Sequence, residues 1–104
     1  MAKSLGIFVT NPDNMQHILG VTKAAKAKGA KVKVFFTWMG TKLSKDPAFP
    51  QLVEMADDVS ICVDSYKNMG YEVSDVPTGL TPDKMATQAQ HGAIIEGYDR
   101  YLTL

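Results

Sequence analysis

The chain has 104 residues, with eleven basic and eleven acidic side chains and therefore no formal net charge. That length supports one hydrophobic core and not two, so residues 1–104 read as a single domain. Neutral charge gives no footprint for nucleic acid or an anionic membrane surface, and no apolar run approaches the roughly 20 residues of a spanning helix.

The lysines between Lys23 and Lys33 are most simply the solvated back of a helix. One cysteine rules out an internal disulfide framework, and two histidines far apart in sequence argue against a zinc site. No secretory leader is expected, because the apolar run after Lys3 is only strand-sized and no small-residue cleavage pattern follows. A cytoplasmic location is the expectation, where a lone thiol stays reduced.

Residues 5–10 form a short, nearly continuous apolar run, as expected of a parallel strand covered on both faces. Asn11 and Pro12 follow as N-cap and first helical residue. The predicted helix places Met15, Ile18, Leu19, Thr22 and Ala25 on one face, Lys23, Lys26 and Lys28 on the other, and stops at Gly29. Residues 32–37 are the second predicted strand, which Trp38, Met39, Gly40 and Thr41 leave as a loop. Pro47 and Pro50 bracket the entry to a helix with Phe49, Leu52, Val53 and Ala56 facing inward. Asp57 and Asp58 close that helix, against its dipole.

A β-branched run of Val59, Ile61 and Val63 carries Cys62 and leads into a short helix, with Ser65 near its start and Gly70 at its stop. Residues 72–76 suggest a short fourth strand. Thr81, Pro82 and Asp83 then have the chemistry of a helix start, with Met85, Ala86, Ala89 and Ala93 as its buried face despite Gly92. Residues 98–104 alternate as a last strand, in which Tyr98 and Tyr101 are packing residues. Strands alternating with helices imply right-handed βαβ units. The fold class is therefore α/β, a three-layer sandwich around a mostly parallel five-stranded sheet. In such sheets ligands bind beyond the carboxyl ends of the strands. Residues 10–14, 37–41 and 62–65 meet that condition and form three walls of one candidate site.

Cys62 is the candidate for chemistry. A thiol at a helix N-terminus meets unpaired backbone N–H groups and the positive end of the dipole, both of which favour thiolate. The plainer alternative is a small buried hydrophobe on a strand. Several chemistries fail on the sequence. Residues 10–14 hold no glycine and bring Asp13, unlike a loop that wraps a flavin phosphate, so no cofactor is implied. A cysteine phosphatase needs arginine six residues after the nucleophile, where this chain has Asn68. A C-x-x-C redox pair needs a second cysteine where Ser65 stands. His17 and His91 fall on the polar sides of their predicted helices. There remains a solitary thiol able to attack sulfur and carry it, with release left to a second molecule.

Phe35, Phe36, Thr37, Trp38 and Gly40, followed by Lys42 and Leu43, resemble the stretch after the second strand in DsrE-type proteins, closest to the branch labelled peroxiredoxin-like. Cys62, Ser65, Met69 and Gly70 match the spacing of that branch's cysteine motif, and the resemblance spans most of the chain. It implies an α/β/α sandwich assembled as a homotrimer or hexamer. The family, which includes the TusBCD sulfur-relay proteins, takes sulfane sulfur as a cysteine persulfide and passes it to a partner such as a TusA-like carrier or a rhodanese. Carried over, the acceptor is Cys62, with Ser65 and Gly70 as motif neighbours. The chain departs from the branch in having Asp64, Tyr66 and Lys67 in place of a methionine-rich filling, and in having no further cysteine.

Around that acceptor, Trp38 and Met39 are candidates to roof the pocket or to pack in the core or a subunit contact. Asn11 and Asn14 line the first wall, with capping as the other explanation for Asn11. Two functions of different class follow. One is a sulfurtransferase-like carrier acting through a Cys62 persulfide. The other is a non-catalytic oligomeric module that binds a small ligand or a regulatory partner. Peroxide reduction at Cys62 is the weaker third, because no visible residue polarises a peroxide or resolves a sulfenic acid.

Overall fold

A computed structural model describes residues 4–86 and 100–104. Its centre is a five-stranded sheet in the order β4-β3-β2-β1-β5, with every neighbouring pair parallel. The strands are β1 (Ser4–Val9), β2 (Lys31–Phe36), β3 (Asp58–Cys62), β4 (Met85–Ala86) and β5 (Arg100–Thr103). The α-helices are α1 (Met15–Ala27), α2 (Phe49–Met55) and α3 (Val63–Asn68). A 3-10 segment, Trp38–Lys45, leaves β2 where a plain loop was expected. No helix is long and apolar enough to cross a membrane among the described residues.

Strand alternation divides the core in two. Ile7, Val9, Val34, Phe36, Val59 and Ile61 point to one face, where Met15, Ile18 and Leu19 of α1, Phe49 and Leu52 of α2, and Tyr66 of α3 pack on them. Phe8, Phe35 and Cys62 point to the other face and form a second buried cluster with Ala86 against it. Tyr101 sets its ring edge-on to Phe8 at 5.8 Å from that side. Continuous apolar strands with both faces buried are what a parallel sheet requires.

Three predicted features are corrected. Asn11 does not cap α1; its side chain accepts the Asp13 N–H at 2.8 Å in a local turn, and Asn14 occupies the N-cap position instead. Residues 72–76 are not a strand, because the Tyr66 hydroxyl donates to the Asp75 carbonyl at 2.5 Å and ties this stretch down as a loop. The start at Thr81 yields only a 3-10 turn, Pro82–Lys84, after which Met85 and Ala86 pair with Ile61 and Cys62 as the short strand β4. A strand neighbour with open hydrogen-bonding groups outweighed the local helix signal there. Ala89, His91, Gly92, Ala93 and Tyr98 lie outside the described residues.

Asp57 and Asp58, poor helix terminators by dipole, instead fasten α1, β2 and β3 together. Asp57 accepts the Val32 N–H at 2.6 Å and the Lys26 ammonium at 2.8 Å. Asp58 takes Lys33 and Lys84 on its two oxygens, each at 2.7 Å. Burial of the Asp58 carboxyl opposes its charge, but the two lysines outweigh that and hold its pKa below the ordinary 3.8.

Candidate functional site

The sheet register brings the three predicted walls together. Val9 pairs with Phe36 and Phe36 with Ile61, so the exits at Thr10, Thr37 and Cys62 stand side by side at one edge of the sheet. Thr37 donates its N–H to the Val9 carbonyl at 2.9 Å, and its hydroxyl shares a 3.3 Å hydrogen bond with the Ser65 hydroxyl. That buried pair ties the end of β2 to the first turn of α3.

Gly40 is required by close approach. A β-carbon on it would sit 2.1 Å from the Val9 carbonyl oxygen and 2.6 Å from its carbon, so only glycine lets the 3-10 segment press on the β1 exit. The chain enters that segment through Trp38 at φ 53°, a left-handed conformation that non-glycine residues rarely adopt. Its indole is 58% exposed and belongs to neither apolar cluster, and Met39 is exposed beside it. Asn11 is exposed on its own turn, and Gly70 (φ 90°) ends α3 at the helix end away from Cys62.

Cys62 is the last residue of β3 and the N-cap of α3, the strand–cysteine–helix junction that the sequence suggests. Two expected properties of its thiol are not met. The residue is only 1% exposed, and its side chain makes no capping hydrogen bond to the helix amides. The reason is alternation: β3 turns this side chain to the face opposite α3, among Phe8 and Phe35. Its partner across the β3–β4 ladder is Ala86, which is half-buried. Two residues back on the same face, the Ser60 hydroxyl is buried with no hydrogen-bond partner.

Sequence reasoning missed Tyr66. Read as polar filling of the cysteine motif, it is fully buried. Its hydroxyl donates to the Asp75 carbonyl and accepts from the Lys45 ammonium at 2.7 Å, while Lys45 lies 5.2 and 5.0 Å from the ring centroids of Tyr66 and Tyr71. Partial burial opposes the Lys45 charge, but its hydrogen bonds to Tyr66 and Asp75 keep its pKa above the ordinary 10.5. The usable signal was the tyrosine's place four residues after Cys62 on a short helix, one turn from the strand's buried end. Clefts of about 250 and 240 Å³ open beside Lys45 and beside Asp58, and Cys62 lines neither. Among the described residues no three His, Cys, Asp or Glu side chains gather as a metal site would need.

Fold and site together define a small parallel α/β protein with a buried cysteine at the carboxyl edge of its sheet. The chain matches no family model and no curated protein.

Proposed function

We propose that this protein is a DsrE-type sulfur carrier that accepts sulfane sulfur as a persulfide on Cys62 and hands it to a TusA-like or rhodanese-like partner in the cytoplasm. The observation that carries this reading is the position of Cys62, at the carboxyl end of a parallel strand and at the start of a helix, beside the ends of β1 and β2. The Phe35–Gly40 and Cys62–Gly70 motifs support it further. Sulfur reaches the thiol on the β4 side, where among the described residues the cover is a two-residue strand with the small side chain of Ala86. Local opening of so short a strand takes little free energy. Trp38, Met39, Tyr101 and Leu102 are exposed apolar side chains suited to contacts between protomers of a homotrimer or hexamer.

The near-complete burial of Cys62 favours a second reading, a non-catalytic oligomeric module in which the thiol is core. Intact mass after incubation with polysulfide separates the two. The carrier gains one sulfur atom, which dithiothreitol removes and which Cys62→Ser does not acquire. A folded wild-type protein that gains no sulfur favours the binding module.

A further inference from the structure

Resting on the carrier reading, we infer that Ser60 is the positioning residue for the sulfur carried on Cys62: its hydroxyl donates a hydrogen bond to the terminal sulfur of the persulfide. Ser60 is 2% exposed, and its Oγ is buried without a partner. A buried hydroxyl left unpaired in a folded protein calls for an explanation. Thr22, whose buried hydroxyl is also unpartnered, lies in α1 on the other side of the sheet, away from any reactive group. Ser60 lies on β3 with Cys62, and residues two apart on a strand point to the same face.

The spacing fits the added atom. Same-face neighbours on a strand stand roughly 7 Å apart at their backbones. A disulfide-type bond extends the cysteine by about 2 Å. That extension covers most of the gap between a thiol and a serine hydroxyl that face each other along one strand. The reduced thiol is too short to use the hydroxyl, and the persulfide is long enough. Phe8 and Phe35, whose side chains carry no polar group, and the small Ala86 pack with Cys62 on this face. Among these residues Ser60 supplies a polar side chain. Its donor proton meets the sulfur that carries the negative charge.

The transfer balances without an outside oxidant. The Cys62 thiolate attacks the outer sulfane sulfur of a polysulfide or of a donor protein's persulfide. An Sγ–S bond forms as the donor's S–S bond breaks, and the electron pair leaves with the donor's remaining thiolate, which takes up the proton Cys62 gave up. Ser60 stays protonated throughout. It lowers the pKa of the terminal sulfur and slows attack on the loaded form by stray thiols.

The test uses the full chain loaded with inorganic polysulfide, with intact mass, the near-ultraviolet absorbance of the persulfide against pH, and the rate of sulfur loss to a small thiol. Ser60→Ala loads as the wild type does but loses its sulfur roughly tenfold faster, and its persulfide ionises at higher pH. Ser60→Thr, which keeps the hydroxyl, restores both. Thermal unfolding of the unloaded proteins leaves Ser60→Ala at least as stable as wild type, because the hydroxyl it removes has no partner. If the wild type loads and Ser60→Ala matches it in release rate and pH profile, the role of Ser60 is overturned and the carrier reading stands. A Ser60→Thr variant that fails to restore them overturns that role in the same way. If the wild type does not load at all, both fall.

Discussion

Replacing Gly40 by alanine should cost this protein much of its stability. The new β-carbon would lie 2.1 Å from the Val9 carbonyl oxygen, 2.6 Å from the Val9 carbonyl carbon and 3.0 Å from the Thr10 nitrogen. All three are backbone atoms of β1, an interior strand of the sheet, and of its exit, so no side chain can rotate away. The 3-10 segment must instead lift by more than about 1 Å to reach ordinary contact distance. Overpacking that side chains can absorb costs about 1–3 kcal/mol, and a rigid wall puts this case at the upper end. The lift also strains the Gly40 N–H to Thr37 carbonyl hydrogen bond of 3.0 Å, worth about 1 kcal/mol, and draws Leu43 outward from the core. The sum is about 4 kcal/mol, a large share of the roughly 5–15 kcal/mol that holds such a domain together. It corresponds to a fall in Tm of roughly 20 °C. Thermal unfolding followed by circular dichroism reads it, with Gly20→Ala as the control. Gly20 sits in α1 with nothing within 4 Å of an added β-carbon, so alanine there should stabilise by roughly 0.5–1 kcal/mol. If Gly40→Ala melts within about 5 °C of wild type, the 3-10 segment does not lie on the β1 exit as described.

Trp38→Gly should leave stability unchanged or raise it by about 1 kcal/mol, because it relieves a left-handed φ while removing a side chain that is mostly in solvent. A urea midpoint that falls by more than that amount would show that the indole is packed. Asp58 should make stability depend on pH in one direction. Its folded pKa lies below the unfolded 3.8, so its contribution is fully present above 3.8 and is lost as pH falls through the depressed folded value. With partly exposed partners the effect is about 1 kcal/mol. Urea midpoints compared between neutral pH and pH below about 3 should converge for wild type and Asp58→Asn at the acid end; a gap that stays constant refutes the linkage.

The elements legible in the sequence were those with long-period signals. Residues 5–10 and 32–37 announced β1 and β2 to within a residue, and Met15, Ile18, Leu19 and Thr22 are the buried stripe of α1. The carboxyl-edge location of Thr10, Thr37 and Cys62 was also readable, because alternation of strands and helices fixes where parallel strands end. What failed had two kinds of cause. At Asn11 it was local, the side chain closing a turn with Asp13 so that Asn14 takes the N-cap of α1; at Thr81 it was tertiary, because Met85 and Ala86 pair with β3. The face of Cys62 follows from alternation with Val59 and Ile61, which face α1, α2 and Tyr66 of α3, so the thiol at the strand's end points to the opposite side. The partners of Tyr66 were not legible because Lys45 and Asp75 come from loop segments outside its own helix, 21 and 9 residues away.

The seam between β1 and the end of the described chain shapes how the protein assembles. The Leu104 carbonyl accepts the N–H groups of Thr10 and Asn11, its own N–H reaches the Phe8 carbonyl at 2.7 Å, and the Thr10 and Leu104 partners are 94 residues apart. While a chain searches for that closure, β2 already shields one side of β1 and the other side offers open hydrogen-bonding groups beside Phe8. Distant closures form late, and an unshielded strand waiting in the middle of a sheet invites a neighbour's strand to take the vacancy. Refolding at high concentration is therefore where this small protein is most exposed to exchanging β5 between copies.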